Sequence, residues 1–251
     1  MVLKTPYFRR SYQSGKKVSV LLAETLPATL VLAASAIAIA LMLGVFLGIV
    51  AALNKDTWLD KAALYLSVLG MSAPSFFVGI VVAWVFGFVL HEYTHLEMTG
   101  SLYEVNEMGE GRHLALQNLI LPAFTLGIRP LSVIMQLSRN ALLEVYSQDY
   151  IRTARAKGLS EFSVLFGHAL RNAMNPVVTA VSGWFASMLA GAVFVEMVFA
   201  WKGIGWELVS ALEKFDLPVV MGAVLIIAFI FVLINILVDV IYTWLDPRIS
   251  L

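Results

Sequence analysis

Three groups of residues in this chain could do chemistry by type and spacing. The first is His91-Glu92-Tyr93-Thr94-His95, a literal His-Glu-x-x-His. On a helix, that spacing puts two imidazoles on one face to hold zinc, with the glutamate placed to activate a metal-bound water. Glu97, Glu104, Glu107, Glu110 and His113 follow as candidate third ligands, and the reading they support is a membrane zinc metalloprotease. The motif lies at the exit of an apolar run, in a segment carrying Gly100, Gly109 and Gly111, and no third ligand stands out from that acidic stretch. The second group is Arg129-Pro130, set inside another apolar run. A buried arginine there costs at least about 2.5–3.5 kcal/mol, so it needs a partner, a wet cavity or a route to the interface beside a proline kink. The third is a basic stretch, Arg152, Arg155 and Lys157. Other chemistries are absent: the chain has no cysteine for a thiolate nucleophile or metal site. It also has no Gly-x-x-x-x-Gly-Lys-[Ser/Thr] phosphate loop, because Gly15-Lys16-Lys17 lacks the upstream glycine and the hydroxyl.

The elements that must position these residues follow from composition. Of 251 residues, 60% are hydrophobic and only 14% are charged, against about 25% charged in a soluble domain. The charge is missing in blocks of more than twenty residues, which is the mark of an integral membrane protein. Seventeen basic and seventeen acidic side chains cancel, and no basic stripe with interleaved aromatics is present, so nucleic acid is not a partner. Apolar runs predict five transmembrane helices, at about 26–53, 62–90, 114–137, 173–200 and 217–245. The fold class expected is all-α, a polytopic membrane helix bundle. Placing the loop 138–172 in the cytoplasm gives eight Lys and Arg inside, counting the loops and Arg248, against three outside. This leaves residues 1–25 as an external tail whose five basic residues run against the rule. Glu196 and Asp239 fall near span ends, where solvation at the interface accounts for them. Gly44 and Gly48, four apart, predict a close helix contact, Asn235 an interhelical hydrogen bond, and Pro74, Pro122 and Pro176 bends.

The loop between the third and fourth spans carries the most specific pattern. It reads Asp149-Tyr-Ile-Arg-Thr-Ala-Arg-Ala-Lys-Gly-Leu-Ser160, then Glu161 to Arg171 ending His168-Ala169-Leu170-Arg171. The first half suits a helix, Gly158 suits its end and Ser160 suits the cap of a second helix. Two short helices at an angle on the membrane face make a docking knob. This segment resembles the cytoplasmic loop of ABC importer permeases. The general pattern of that family is matched at Ala154, Gly158 and Leu170. The branch for dipeptides, oligopeptides and nickel is matched more fully, from Tyr150 to Leu159 and from His168 to Ala173. Leu26 to Leu30, Gly203-Ile204-Gly205, Val238-Asp239 and Asp246-Pro247-Arg248 are similar as well, so the resemblance runs from about Ser11 to the end. Lys202 stands where the branch usually has proline.

The resemblance implies residues 26–251 as a permease domain in a bacterial or archaeal inner membrane, with 138–172 a two-helix coupling loop. It implies no enzymatic activity and no cofactor in this chain. A second homologous permease, two ATP-binding subunits, an external solute-binding protein and the lipid bilayer would be its partners. The coupling residues implied are Arg152, Ala154, Arg155, Lys157, Gly158 and Leu170, with Ala154 and Gly158 allowing close approach and the cations bonding the rim of the ATPase groove. Arg129 would attract the carboxylate of a passing peptide. Peptides are the expected cargo and nickel the alternative. Such permeases have six spans, so the chain reads as the family without its first helix.

Overall fold

The structure is a computed structural model that describes residues 8–105 and 112–245. Helix α1 (Val18–Leu53) is followed by α2 (Trp58–Ser72) and by α3 (Ser75–Trp84), which runs on through a π-helical turn, Val85–Val89. A short α4 (His91–Thr94) leads to strands β1 (Tyr103–Val105) and β2 (Arg112–Leu114). Then come α5 (Gln117–Tyr146), α6 (Asp149–Ala156), α7 (Glu161–Val164), a second π-helical turn (Leu165–Ala169) and α8 (Leu170–Ala173). The chain closes with α9 (Asn175–Val198), α10 (Ile204–Glu213) and α11 (Leu217–Leu245).

Among the described residues, three helices are long and apolar enough to cross a membrane: α1, α5 and the Leu217–Leu237 part of α11. The pair α2 and α3 makes a fourth if counted as one bent span. The second expected span is therefore not one helix. Pro74 forces its predecessor Ala73 into an extended conformation, φ −74° and ψ 136°, and the helix ends there. Pro176 lies in the first turn of α9, just after the break at Met174 that separates α9 from α8, where the missing N–H has no helical bond to lose. The expected all-α fold also gains a small antiparallel hairpin, pairing Tyr103 with Leu114 and Glu104 with His113. Asp246 to Arg248 and residues 106–111, with Glu107 and Glu110, lie outside the described residues.

The chain divides into two compact units, and long helices run through both. The unit comprising Ala36–Pro74, Gly127–Phe185 and Val240–Leu251 is built on glycine contacts. A Cβ on Gly44 would lie 2.9 Å from the Leu131 carbonyl oxygen, and one on Gly48 would lie 2.8 Å from that of Met135. From the other side, a Cβ on Gly127 would lie 2.8 Å from the Ala36 oxygen. Helices α1 and α5 thus approach backbone to backbone, as small residues permit in membranes. The polar face of α5 meets α2 instead. Arg139 grips the buried Asp60 through two bonds of 2.5 and 2.7 Å, and Gln136 Nε2 donates to Ser67 Oγ at 2.7 Å.

In the other unit, Met1–Ser35, Ser75–Leu126 and Ala186–Asp239, buried acids close the helix junctions. Glu196 is fully buried, contrary to the expectation of interface solvation. Its carboxylate accepts Thr29 Oγ1–H at 2.6 Å and the Trp206 N–H at 2.9 Å. Thr29 Oγ1 in turn accepts the Ile204 N–H at 2.9 Å. Together these bonds cap the first turn of α10, whose N-cap, Gly203, offers no side chain of its own. The Gly203-Ile204-Gly205 pattern acquires a physical reason here: the Glu196 carboxylate fills the space where a Cβ at either glycine would go. Nearby, Trp201 is buried and its indole N–H donates to the Ala28 oxygen at 3.0 Å. Asn235 donates to the Phe231 oxygen at 2.8 Å, within its own helix α11 rather than to a neighbouring one.

The N-terminal strap is tied down by Asp216, which accepts from Ser11 Oγ and from the Tyr12 and Gln13 N–H groups, the first of these amides at 3.1 Å. Burial pushes the Asp216 carboxyl up, but the bonds from Ser11, Tyr12, Gln13 and Val219 outweigh it and hold the group below the usual carboxylate range.

Replacing Gly48 with Val should force α1 and α5 apart and destabilise the protein by about 1–3 kcal/mol. A lowered thermal unfolding midpoint in detergent, with Ala→Val at the exposed Ala23 as control, checks this. Asp216→Asn should cost about 1–3 kcal/mol at neutral pH. Because the folded carboxyl is held low, its contribution is complete above the unfolded pKa of about 3.9 and is lost as pH falls through the folded value. The gap in unfolding midpoint between wild type and variant should therefore be constant near neutrality and shrink below about pH 4.

Candidate functional site

The segment singled out by its sequence forms a helical corner. Helix α6 ends at Ala156 with Lys157 as its C-cap, and Gly158 follows with φ +79°, a left-handed conformation that glycine adopts without strain. Ser160 is extended, and its Oγ accepts the Ser163 N–H at 3.3 Å, capping α7. Both the glycine stop and the serine cap stand as expected. The inner face of the corner is an apolar core in which Ile151, Ala154, Val164, Leu165, Ala169 and Ala173 pack with Leu142 and Ala52. Leu170 and Tyr146 pack against it, partly buried.

This core changes the reading of Ala154. Its side chain is buried beneath α6, so its small size serves the packing of α6 on its own support and offers nothing to an outside contact. Gly158 is exposed, and a Cβ there would touch nothing, so only its conformation requires glycine. The three cations also divide. Arg155 is braced within the chain, with Nε and Nη2 on the two Glu161 oxygens at 2.9 and 3.0 Å and its guanidinium 5.3 Å from the centre of the Tyr146 ring. This fork clamps α6 to α7 across the Gly158 turn. Arg152 is exposed and reaches only Asp149, at 3.3 Å, while Lys157 is exposed with no partner among the described residues. Beside them, Phe162 and Phe166 form a tilted pair 4.5 Å apart on the outer face of the corner, 72% and 49% exposed. The sequence reading missed these rings. Their spacing of four on a helix whose buried positions are Leu165 and Ala169 was the available signal.

Arg129 lies on an exposed part of α5, and its Nη2 reaches the Met71 oxygen in the last turn of α2 at 3.4 Å. One long hydrogen bond leaves most of the guanidinium's donors free for another group. The His-Glu-x-x-His stretch does not form a zinc-binding helix. Helix α4 ends at Thr94, and His95 takes a left-handed conformation with φ 54°, so the two imidazoles do not share a helical face. His91 Nδ1 lies 2.9 Å from the Leu96 oxygen. Glu104 is held by Asn118 at 2.7 Å with His113 at 3.9 Å, and among the described residues no three His, Asp or Glu side chains converge.

Comparison with known proteins gives the same direction. Solved structures share the fold: one of the inward-facing MetNI methionine ABC transporter matches with a TM-score of 0.67 at 16% identity, covering 91% of this chain and 97% of that one. A permease protein named for a peptide transport system in Brucella abortus is 42% identical over 96% of this chain and 74% of its own length. One named for D,D-dipeptide transport in Escherichia coli K12 is 38% identical over 96% and 75%. The dipeptide transport system permease protein of Alkalihalophilus pseudofirmus is 35% identical over 90% and 72%. The family described as binding-protein-dependent transport system inner membrane component matches residues 44–251, which include the whole α6–α8 corner. With apolar helices to cross the inner membrane and a helical corner packed on a core of its own, the chain belongs to this family of permeases, which work with a binding protein and an ATPase.

Proposed function

We propose that this chain is a permease subunit of an ABC importer for peptides, lining the translocation path together with a second, homologous permease. The single observation that carries the cargo assignment is 42% identity across 96% of the chain to a relative named for peptide transport. Two ATP-binding subunits sit on the inner side and an external solute-binding protein delivers the peptide. Five helical segments cross the bilayer: α1, the α2–α3 pair, α5, α9 and α11. The loop 138–172 lies in the cytoplasm, and residues 1–25 lie outside.

In this reading the α6–α8 corner converts closure of the ATPase pair into motion of the permease helices. Transmitting a push needs a stiff arm on a bistable bundle. The Arg155–Glu161 fork and the apolar core beneath Ala154 supply stiffness. Arg152, Lys157 and the Phe162–Phe166 pair supply an outer surface with both charge and aromatic area. Arg129 borders the path, where its free donors attract the terminal carboxylate of a peptide.

Because the chain has no cysteine, a single Lys157→Cys substitution places one thiol on the corner. It should react with a membrane-impermeant maleimide only in inside-out vesicles and cross-link to the ATPase in the assembled complex. Labelling from the external face would defeat the orientation and the coupling role together. Gly158→Val puts a β-branched residue in a left-handed conformation at about 1–2 kcal/mol. Uptake should fall more than tenfold, with this chain still present in the membrane by immunoblot. Arg129→Gln should raise the KM for a dipeptide several-fold and leave an N-terminally identical peptide amide unaffected in the reconstituted complex. Equal behaviour of the two peptides would remove Arg129 from the path.

A further inference from the structure

Beside the Glu196 junction lies a cleft of about 250 Å³ whose lining is chemically mixed. Leu21, Glu24, Thr25 and Ala28 enter it from α1, at positions that share one helical face. Ser101 and Tyr103 enter from the segment leading into β1, and Lys202, Trp206 and Glu207 from the approach and first turn of α10. Among the described residues, the side chains of Glu24, Lys202, Glu207, Tyr103 and Trp206 make no hydrogen bond or ion pair. Charges of both signs thus converge on one concavity without neutralising one another.

The walls of the cleft are preset. The Glu196 carboxylate holds the Trp206 N–H, and Trp201, next to Lys202, is fixed on the Ala28 oxygen. Ala28 itself, in the floor, is 3% exposed. A cleft held open by bonds beneath it spends little ordering entropy on binding. Its two carboxylates and one ammonium, between an indole and a phenol, complement a small zwitterion. The carboxylates suit a primary ammonium, the lysine suits a carboxylate and the rings cover the apolar part.

We infer that this cleft is an outer receiving site for short peptides, with the peptide's N-terminal ammonium held between Glu24 and Glu207 and its terminal carboxylate met by Lys202. The inference rests on the peptide reading and on the orientation proposed above, which puts the start of α1 and the α9–α10 link on the external side. Cargo leaving a binding protein reaches such a cleft before it reaches the interior of the path.

The test uses the complete complex in nanodiscs without the binding protein, titrated with L-alanyl-L-alanine and followed by saturation-transfer NMR. Saturable binding is expected, weakened at least about tenfold in Glu24→Gln/Glu207→Gln and, separately, in Lys202→Met. N-acetylation of the peptide should weaken binding to the wild type equally and add no further loss in the double glutamine variant. Absence of saturable binding, or N-acetylated and free peptides binding alike, would overturn the assignment, as would loss of binding-protein affinity in these variants with peptide binding unchanged. Uptake of the same dipeptide with the binding protein present separates the two readings. Uptake without direct binding ends the cleft assignment alone, whereas no peptide uptake at all ends both.

Discussion

A break in a helix leaves amides without an intrahelical partner, and where those amides are buried the chain itself must satisfy them. The three buried acids of the described residues, Asp60, Glu196 and Asp216, all stand at such breaks. Asp60 accepts the Asp56 N–H at the α1–α2 turn, where Asp56 is held at φ 65°, and pairs with Arg139. Glu196 accepts amides at the start of α10, and Asp216 those of the N-terminal strap. None lies in mid-span. The carboxylates serve as caps, Asp60 and Glu196 for amides 4 and 10 residues away and Asp216 for the strap more than 200 residues before it. The constraint also selects their neighbours. Gly203 and Gly205 leave room for an acid that two extra methyl groups would displace.

The helical corner is governed by a related economy at the surface. A loop between spans could have been irregular, since water is available to its backbone. Instead it is folded on a core of its own, with Ile151 and Val164 fully buried and the arginine fork closing its open side. A fork with both partners substantially exposed adds little to stability. Its value lies in geometry, since bidentate pairing fixes the angle between two short helices that Gly158 alone would leave free. The corner is thus held by contacts within the chain, its core and its fork. Arg152, Lys157 and the Phe162–Phe166 pair are left on its outer surface.

Much of this was legible in the sequence because periodicity and punctuation report local structure directly. The long apolar runs, the glycine stop at 158, the serine cap at 160 and the close approach at Gly44 and Gly48 each follow from one segment read alone. What escaped reading depended on which segment packs against which, and on which of several partners a polar side chain takes. Glu196 near a span end suggests solvation until Thr29 and Trp206, 167 and 10 residues away, are brought to it. Ala154 suggests an open surface until Leu142 and Val164 cover it. Asn235 suggests a neighbouring helix but turns to its own backbone, as amides do when a carbonyl four residues back lies within reach. His-Glu-x-x-His failed for a local reason: the motif presumes a continuing helix, and this one stops within it.

The π-helical turn at Leu165–Ala169 has a geometric result for the corner. On an ordinary α-helix, positions four apart precess by about 40° around the axis, so a row at that spacing soon leaves the surface it covers. A wider turn precesses the other way and cancels the drift. Leu165, Ala169 and Ala173 consequently stay aligned on the core along the whole arm. The three side chains therefore form one straight line of contact, which an unbroken α-helix of the same length would have rotated off the core.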